Sequence, residues 1–215
     1  MTFGVASTAM TERLGGLIAK ERELRSLEVI SLVPLRDRTF RTAIKWRSSM
    51  AKQPKTLDDL FHDTLKDIYY AEKKILATLP KMAKASQNDE LTAAFEKHRA
   101  ETERQVERLE QVFALIDKKA QGKTCDAIIG ITDEGAEIIK EYKGSPALDA
   151  GLIAAAQAVE HYEISRYGTL RTWAEELGLN DAASLLQETL DEEKATDEAL
   201  TKIAESVVNQ EAAAA

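Results

Sequence analysis

The 215 residues include a single cysteine, Cys125, so no disulfide can form within the chain. That fits a reducing compartment. Proline and glycine are scarce, at 4 and 10 residues, so little in the sequence breaks a helix. Most of the remainder is Ala, Leu, Glu, Lys and Gln, all good helix formers. The prior is an all-α domain, and the length is enough for one sizeable core. No apolar run approaches the ~18–20 residues that a membrane span needs. Residues 1–30 lack a compact apolar segment followed by a cleavage site, so the expected location is cytoplasmic, with no membrane partner. There is no glycine-rich phosphate loop, no Cys-x-x-Cys pair and no nucleophile–His–acid order. These absences exclude the common nucleotide-binding and hydrolytic motifs, and no organic cofactor is expected. Tandem repeats are also lacking.

Charge is present but uneven. The whole chain carries −8. Nine basic and five acidic residues among 1–49 leave +4, and the other 20 basic and 32 acidic residues leave −12. An acidic body argues against nucleic-acid binding. Residues 1–49 show no sustained helical or strand period. The stretch "MAKQPKT" at 50–56 reads like a fresh start. Residues 1–49 are therefore expected to be a disordered basic extension or a start-site overcall, and 50–215 the domain.

From Thr56 a helical period sets in. Thr56 and Asp59 form a capping-box-like start. Leu57, Phe61, Thr64, Ile68, Glu72, Ile75 and Leu79 then recur on one face, predicting a first long helix over about 56–85 with Pro80 as a kink or end. Asn88 is the expected cap of a second helix, about 89–117, with the stripe Leu91, Phe95, His98, Thr102, Gln105, Leu109, Val112 and Ile116. Residues 118–145 form a long connection holding a shorter helix near 125–142. Ser145-Pro146 predicts the start of a third long helix, about 146–177, which Gly178 stops. Asn180 is the expected cap of a fourth, about 181–208. Two tight links and one long crossover are the ferritin-like arrangement of an antiparallel four-helix bundle.

Each long helix carries acid on its apolar stripe near its midpoint. These are Glu72, Glu101 beside His98 and Gln105, the pair Glu160 and Glu163, and the pair Glu192 and Glu193. Buried ionised carboxylates are very costly unless neutralised. Two divalent ions balance four glutamates, and an oxygen-rich site with few imidazoles suits Fe or Mn, with Zn a common substitute. The competing reading pairs the acids with Arg104, Arg108, Arg166 or Arg171. His161 faces about 100° from Glu160, which makes it a neighbour of the site rather than a ligand. Glu188 is read as a surface residue. Ala154, Ala155, Ala156 and Ala158 allow close helix approach or a dimer face.

Four segments, "LKDIYYAEKKI" (65–75), "FEKHRAETERQVERLEQV" (95–112), "LIAAAQAVEHYEISRYGTL" (152–170) and "LLQETLDEEKATDEAL" (185–200), occur in order. Together they closely resemble the bacterial YciE/YciF-type stress proteins, a ferritin-like family. The resemblance covers about 55–208. It implies an antiparallel four-helix bundle related to rubrerythrin and ferritin, often dimeric, with stress-linked expression and a metal site. By motif, the site residues it implies are Glu72, His98, Glu101, Glu160, Glu163, Glu192 and Glu193, supported by Gln105. The sequence departs from the usual di-iron pattern at one point. Glu101 is followed three residues later by Arg104, not His, and His98 instead precedes it. The second imidazole of an oxygen-activating site is missing. The implied function is metal binding in stress, with weak oxidase or peroxide-related activity. The alternative is a non-enzymatic helical homodimer or scaffold.

Overall fold

The computed structural model describes residues 54–215; the expected extension over 1–49 lies outside the described residues. Those described residues are all-helical. Helix α1 spans Leu57–Ala85, α2 Asp89–Leu115, α3 Asp126–Glu141, α4 Leu148–Glu176 and α5 Asn180–Ile203. A π-helical turn, Ala204–Val208, and a short helix α6, Asn209–Ala214, follow.

The starts of α1 and α2 are built as their sequences predict. Thr56 Oγ1 accepts from the Asp59 amide, and the Asp59 carboxylate accepts from the Thr56 amide. Asn88 Oδ1 accepts from the Leu91 amide at 3.0 Å. Pro80 does not end α1, which continues to Ala85. Helix α2 stops at Leu115 because Asp117 adopts φ 53°, letting the Lys118 amide reach back to the Phe113 carbonyl. The later starts differ from expectation. Ser145 Oγ accepts from the Ala147 amide, which makes a turn of Ser145–Ala147 and delays α4 to Leu148. Gly178, at φ 74°, and the Leu179 amide close the end of α4, so Asn180 enters α5 as its first helical residue. The π turn breaks the expected single run to 208.

The four long helices pack in a ring: α1 on α2, α2 on α5, α5 on α4, and α4 on α1. Their facing stripes bury Phe61, Leu65, Phe95, Phe113, Leu152 and Tyr167. The long connection runs back along α1, where the Lys123 amide donates to the Lys66 carbonyl. That strap lays α3 against α4 and α1. Small residues allow the approach: a Cβ on Gly135 would lie 3.5 Å from that of Ala155, and one on Gly151 only 2.7 Å from Ile138 Cγ2. Ala155 and Ala156 are accordingly buried beneath neighbouring helices, while Ala154 and Ala158 stay exposed. Among the described residues, no helix is long and apolar enough to cross a membrane.

Candidate metal centre

The four long helices each carry part of one buried polar cluster. Glu72 comes from α1, His98 from α2, Glu160 and Glu163 from α4, and Glu193 from α5. All four glutamates are fully buried and His98 is 3% exposed. One donor atom from each of His98, Glu160, Glu163 and Glu193 lies within 4.8 Å of the others. Glu72 completes the group from the α1 side, where the Tyr167 hydroxyl donates to its Oε1.

Among the described residues, most of these groups have no hydrogen-bond partner. Glu72 Oε2, His98 Nε2 and both oxygens of Glu160, Glu163 and Glu193 are buried without a hydrogen-bond partner. His98 Nδ1 stands 3.1 Å from Glu160 Oε1, but off the line of N–H donation, so it is a contact and not a hydrogen bond. His98 Nε2 is 3.7 Å from Glu193 Oε2. Native interiors rarely leave so many polar atoms orphaned in one place.

Burial dominates the acidities. It pushes Glu72 up to about 7, against the opposing pull of the Tyr167 hydrogen bond. Glu160 is pushed up to about 8, first by burial and then by the neighbouring charge of Glu72. Glu163 is raised well above the usual carboxylate range by burial, then by Glu72 and Glu193. Glu193 is raised likewise, by burial and then by Glu160 and Glu72. Burial of these carboxyls side by side thus favours their protonated forms over the usual carboxylate state.

The other expected residues are placed differently. Glu101 sits at the margin: Lys97 Nζ is 2.7 Å from its Oε1, while its Oε2 is buried and unpartnered. Glu192 turns away, held by both Nη atoms of Arg108 at 3.0 Å. Gln105 Nε2 donates to the same carboxylate at 3.1 Å, so Gln105 supports Glu192 and not a cluster residue. Burial opposes ionisation of Glu192, but the bonds from Arg108 and Gln105 outweigh it and lower its pKa. Arg108 also binds Thr189 and the exposed Glu188, so the ion-pair reading holds for this corner. His161 is exposed and pairs with Asp197 at 3.3 Å, apart from the cluster.

Two connections add to the sequence reading: Tyr167, read there as a packing residue that could also hydrogen-bond a metal ligand, bonds Glu72 in the site, and Asp149 makes a bond outside it. Tyr167 follows Glu163 by four residues, on the same helical face, and that spacing marks it as a neighbour. Asp149, buried at the start of α4, accepts twice from the Gln87 amide and ties the α1–α2 turn to α4. A lone Asp in a first helical turn carries no signal of such a long-range bond.

The donor set fits a divalent metal. Carboxylate oxygens with one imidazole suit iron or manganese, and the orphaned atoms are the ones a cation would satisfy.

A family described as "Domain of unknown function (DUF892)" matches residues 56–213. The protein YciF of Escherichia coli K12 is 47% identical over 159 residues, which span 74% of this chain and 96% of that one. The crystal structure of the E. coli stress protein YciF superposes with a TM-score of 0.70 at 47% identity, covering 73% of this chain and 99% of that one. YcfI from Rhodopseudomonas palustris, proposed to be a structural protein, gives a TM-score of 0.68 at 45% identity, covering 70% and 96%.

Proposed function

The chain belongs to the DUF892 family, and on that premise we propose that it is a ferritin-like, stress-associated protein whose bundle core holds one or two divalent metal ions, iron or manganese. The observation that carries this reading is the set of unpartnered buried donors on Glu72, His98, Glu160, Glu163 and Glu193. Glu101, through its buried Oε2, is an additional donor at the margin. Bound iron or manganese would supply Lewis acidity and one-electron redox chemistry at an open coordination position. The chain's own residues do the rest. Tyr167 fixes Glu72 so that Oε2 is the free oxygen. The raised carboxyls release their protons on binding. The surrounding apolar side chains restrict access to the cluster. The reading extends to weak oxidase or peroxide-related activity, a cytoplasmic location and a homodimer, and it places the domain at 50–215 with 1–49 as an extension or overcall.

Metal analysis of protein purified without a histidine tag tests the core of the proposal. Fewer than about 0.1 ion per chain after aerobic Fe²⁺ or Mn²⁺ loading would end it. Light scattering tests the dimer, and the intact mass of the endogenous protein tests the extension.

A second reading, a scaffold without functional metal, is favoured by the Arg108–Glu188–Glu192 network, where acids are balanced by protein alone. The structural role proposed for the R. palustris relative points the same way. It requires that chelators leave the melting temperature unchanged.

A further inference from the structure

A small cavity touches the cluster from the side of α3. Its volume is about 20 Å³. A single water needs roughly 10–15 Å³ on this measure, so there is room for one or two non-hydrogen atoms. The apolar wall comes from Ile75 and Leu79 of α1 and from Ala156 and Val159 of α4. Two threonines also line it, but both hydroxyls are spent. Thr78 donates to the Lys74 carbonyl and Thr132 to the carbonyls of Ile128 and Ile129. The polar end is formed by His98 and Glu160, both cluster residues with unpartnered atoms. The cavity is partly open, and Thr78 is the only lining residue that is not buried. An apolar passage that ends on two orphaned donors suits a guest that is small, uncharged and able to touch a polar centre. A charged molecule would have to leave its hydration shell for a wall that offers no hydrogen bond, dioxygen has almost no shell to lose, and hydrogen peroxide regains bonds only at the polar end formed by His98 and Glu160.

The geometry points to this cavity as the site where a neutral molecule of two heavy atoms, of the dioxygen or hydrogen peroxide class, reaches the carboxylate–histidine centre, entering beside Thr78. This rests on the metal reading above and names the ligand class that its site admits.

Nitric oxide, a neutral diatomic, is the probe. Its rate of binding to the anaerobic Fe²⁺-loaded protein is followed by stopped-flow absorbance, with iron counted in every sample. Ala156→Leu fills the cavity and Thr78→Met blocks its mouth, while Val159→Ala widens it; none of the three is a donor to the cluster. The expected result is unchanged iron content, binding slowed roughly tenfold or more in the two closing variants, and binding no slower than wild type in Val159→Ala. Thr78 is half-buried, so Thr78→Met keeps the test intact if Ala156→Leu fails to fold. Wild-type rates in the closing variants at wild-type iron content would overturn the cavity as the route and leave the metal reading standing. No iron in the wild-type protein would overturn both. Rates of Fe²⁺ oxidation by peroxide and by dioxygen in the same variants separate the two guests: the one whose rate falls with the plug is the one that uses the cavity.

Discussion

At the scale of single residues, the cluster is a set of groups held against their own solvation. Burying a carboxyl without a partner costs stability, and removing such a group is often neutral or favourable. Glu163→Gln should therefore raise the melting temperature of the metal-free protein by a few degrees at pH 8, while abolishing the further rise on adding Mn²⁺. Differential scanning fluorimetry with and without chelator checks both parts. Tyr167 has the opposite sign. Among the described residues it supplies the one hydrogen bond Glu72 receives, so Tyr167→Phe leaves another orphaned oxygen and should cost about 1–3 kcal/mol in urea unfolding. The legibility of these residues follows from helical angles. Glu160 and Glu163 are three apart, which separates them by only ~60° around the helix. Both fit one inward face, and the structure buries both. Glu192 and Glu193 are ~100° apart, so only one can point in. Which one does depends on Arg108, whose reach across from α2 captures Glu192 and leaves Glu193 inside. That competition is tertiary, and no spacing within α5 records it. Glu101 shows the same limit. It is as close in angle to His98 as Glu160 is to Glu163, yet Lys97 draws one oxygen outward.

At the scale of elements, caps and small residues decide where helices sit. The first two helix starts were legible because Thr56 and Asn88 each meet an amide within their own turn. The starts of α4 and α5 were misplaced by one or two residues because the preceding turn, not the helix, claims the polar side chain or the left-handed glycine. Truncation of a cap is a clean test. Asn88→Ala should cost about 1 kcal/mol without altering metal content. The crossover helix depends on closeness instead. A methyl at Gly151 would press on Ile138, whose branched Cγ2 has little freedom to yield. Gly151→Ala should lose about 1–3 kcal/mol, and Ile138→Ala in the same chain should recover part of that loss. A double-mutant cycle measured by urea unfolding checks it.

At the scale of the whole molecule, the raised acids make stability depend on pH. Glu72 and Glu160 titrate near 7 and 8 in the fold, and near the ordinary value of 4.5 in the open chain. Below the unfolded value both states hold the protons and the fold suffers no penalty. Between the unfolded and the folded values the open chain has ionised while the fold must keep its protons or bury charge, so the penalty grows across that window and levels off above the folded values. Metal-free stability should therefore be highest near pH ~5 and decline through pH ~7–8, and saturating Mn²⁺ should remove the decline. Thermal melts across that range in both conditions give the answer. Among the described residues the four long helices, the long link and the burial of Glu72, Glu160 and Glu163 were legible, because they rest on periodicity and length; the π turn and the short helix α6 were not. The ring order of the helices was not, since it emerges only when α2 packs on α5.

Donors drawn from α1, α2, α4 and α5 also have a consequence for the protein's lifetime in the cell. The cluster does not exist in any fragment or partly opened form, so an ion seated there would act as a removable rivet through all four long helices. Proteases cut opened chains. Scarcity of the ion would then shorten the half-life of the protein and abundance would lengthen it. The amount of protein present would report the supply of metal without any sensor upstream.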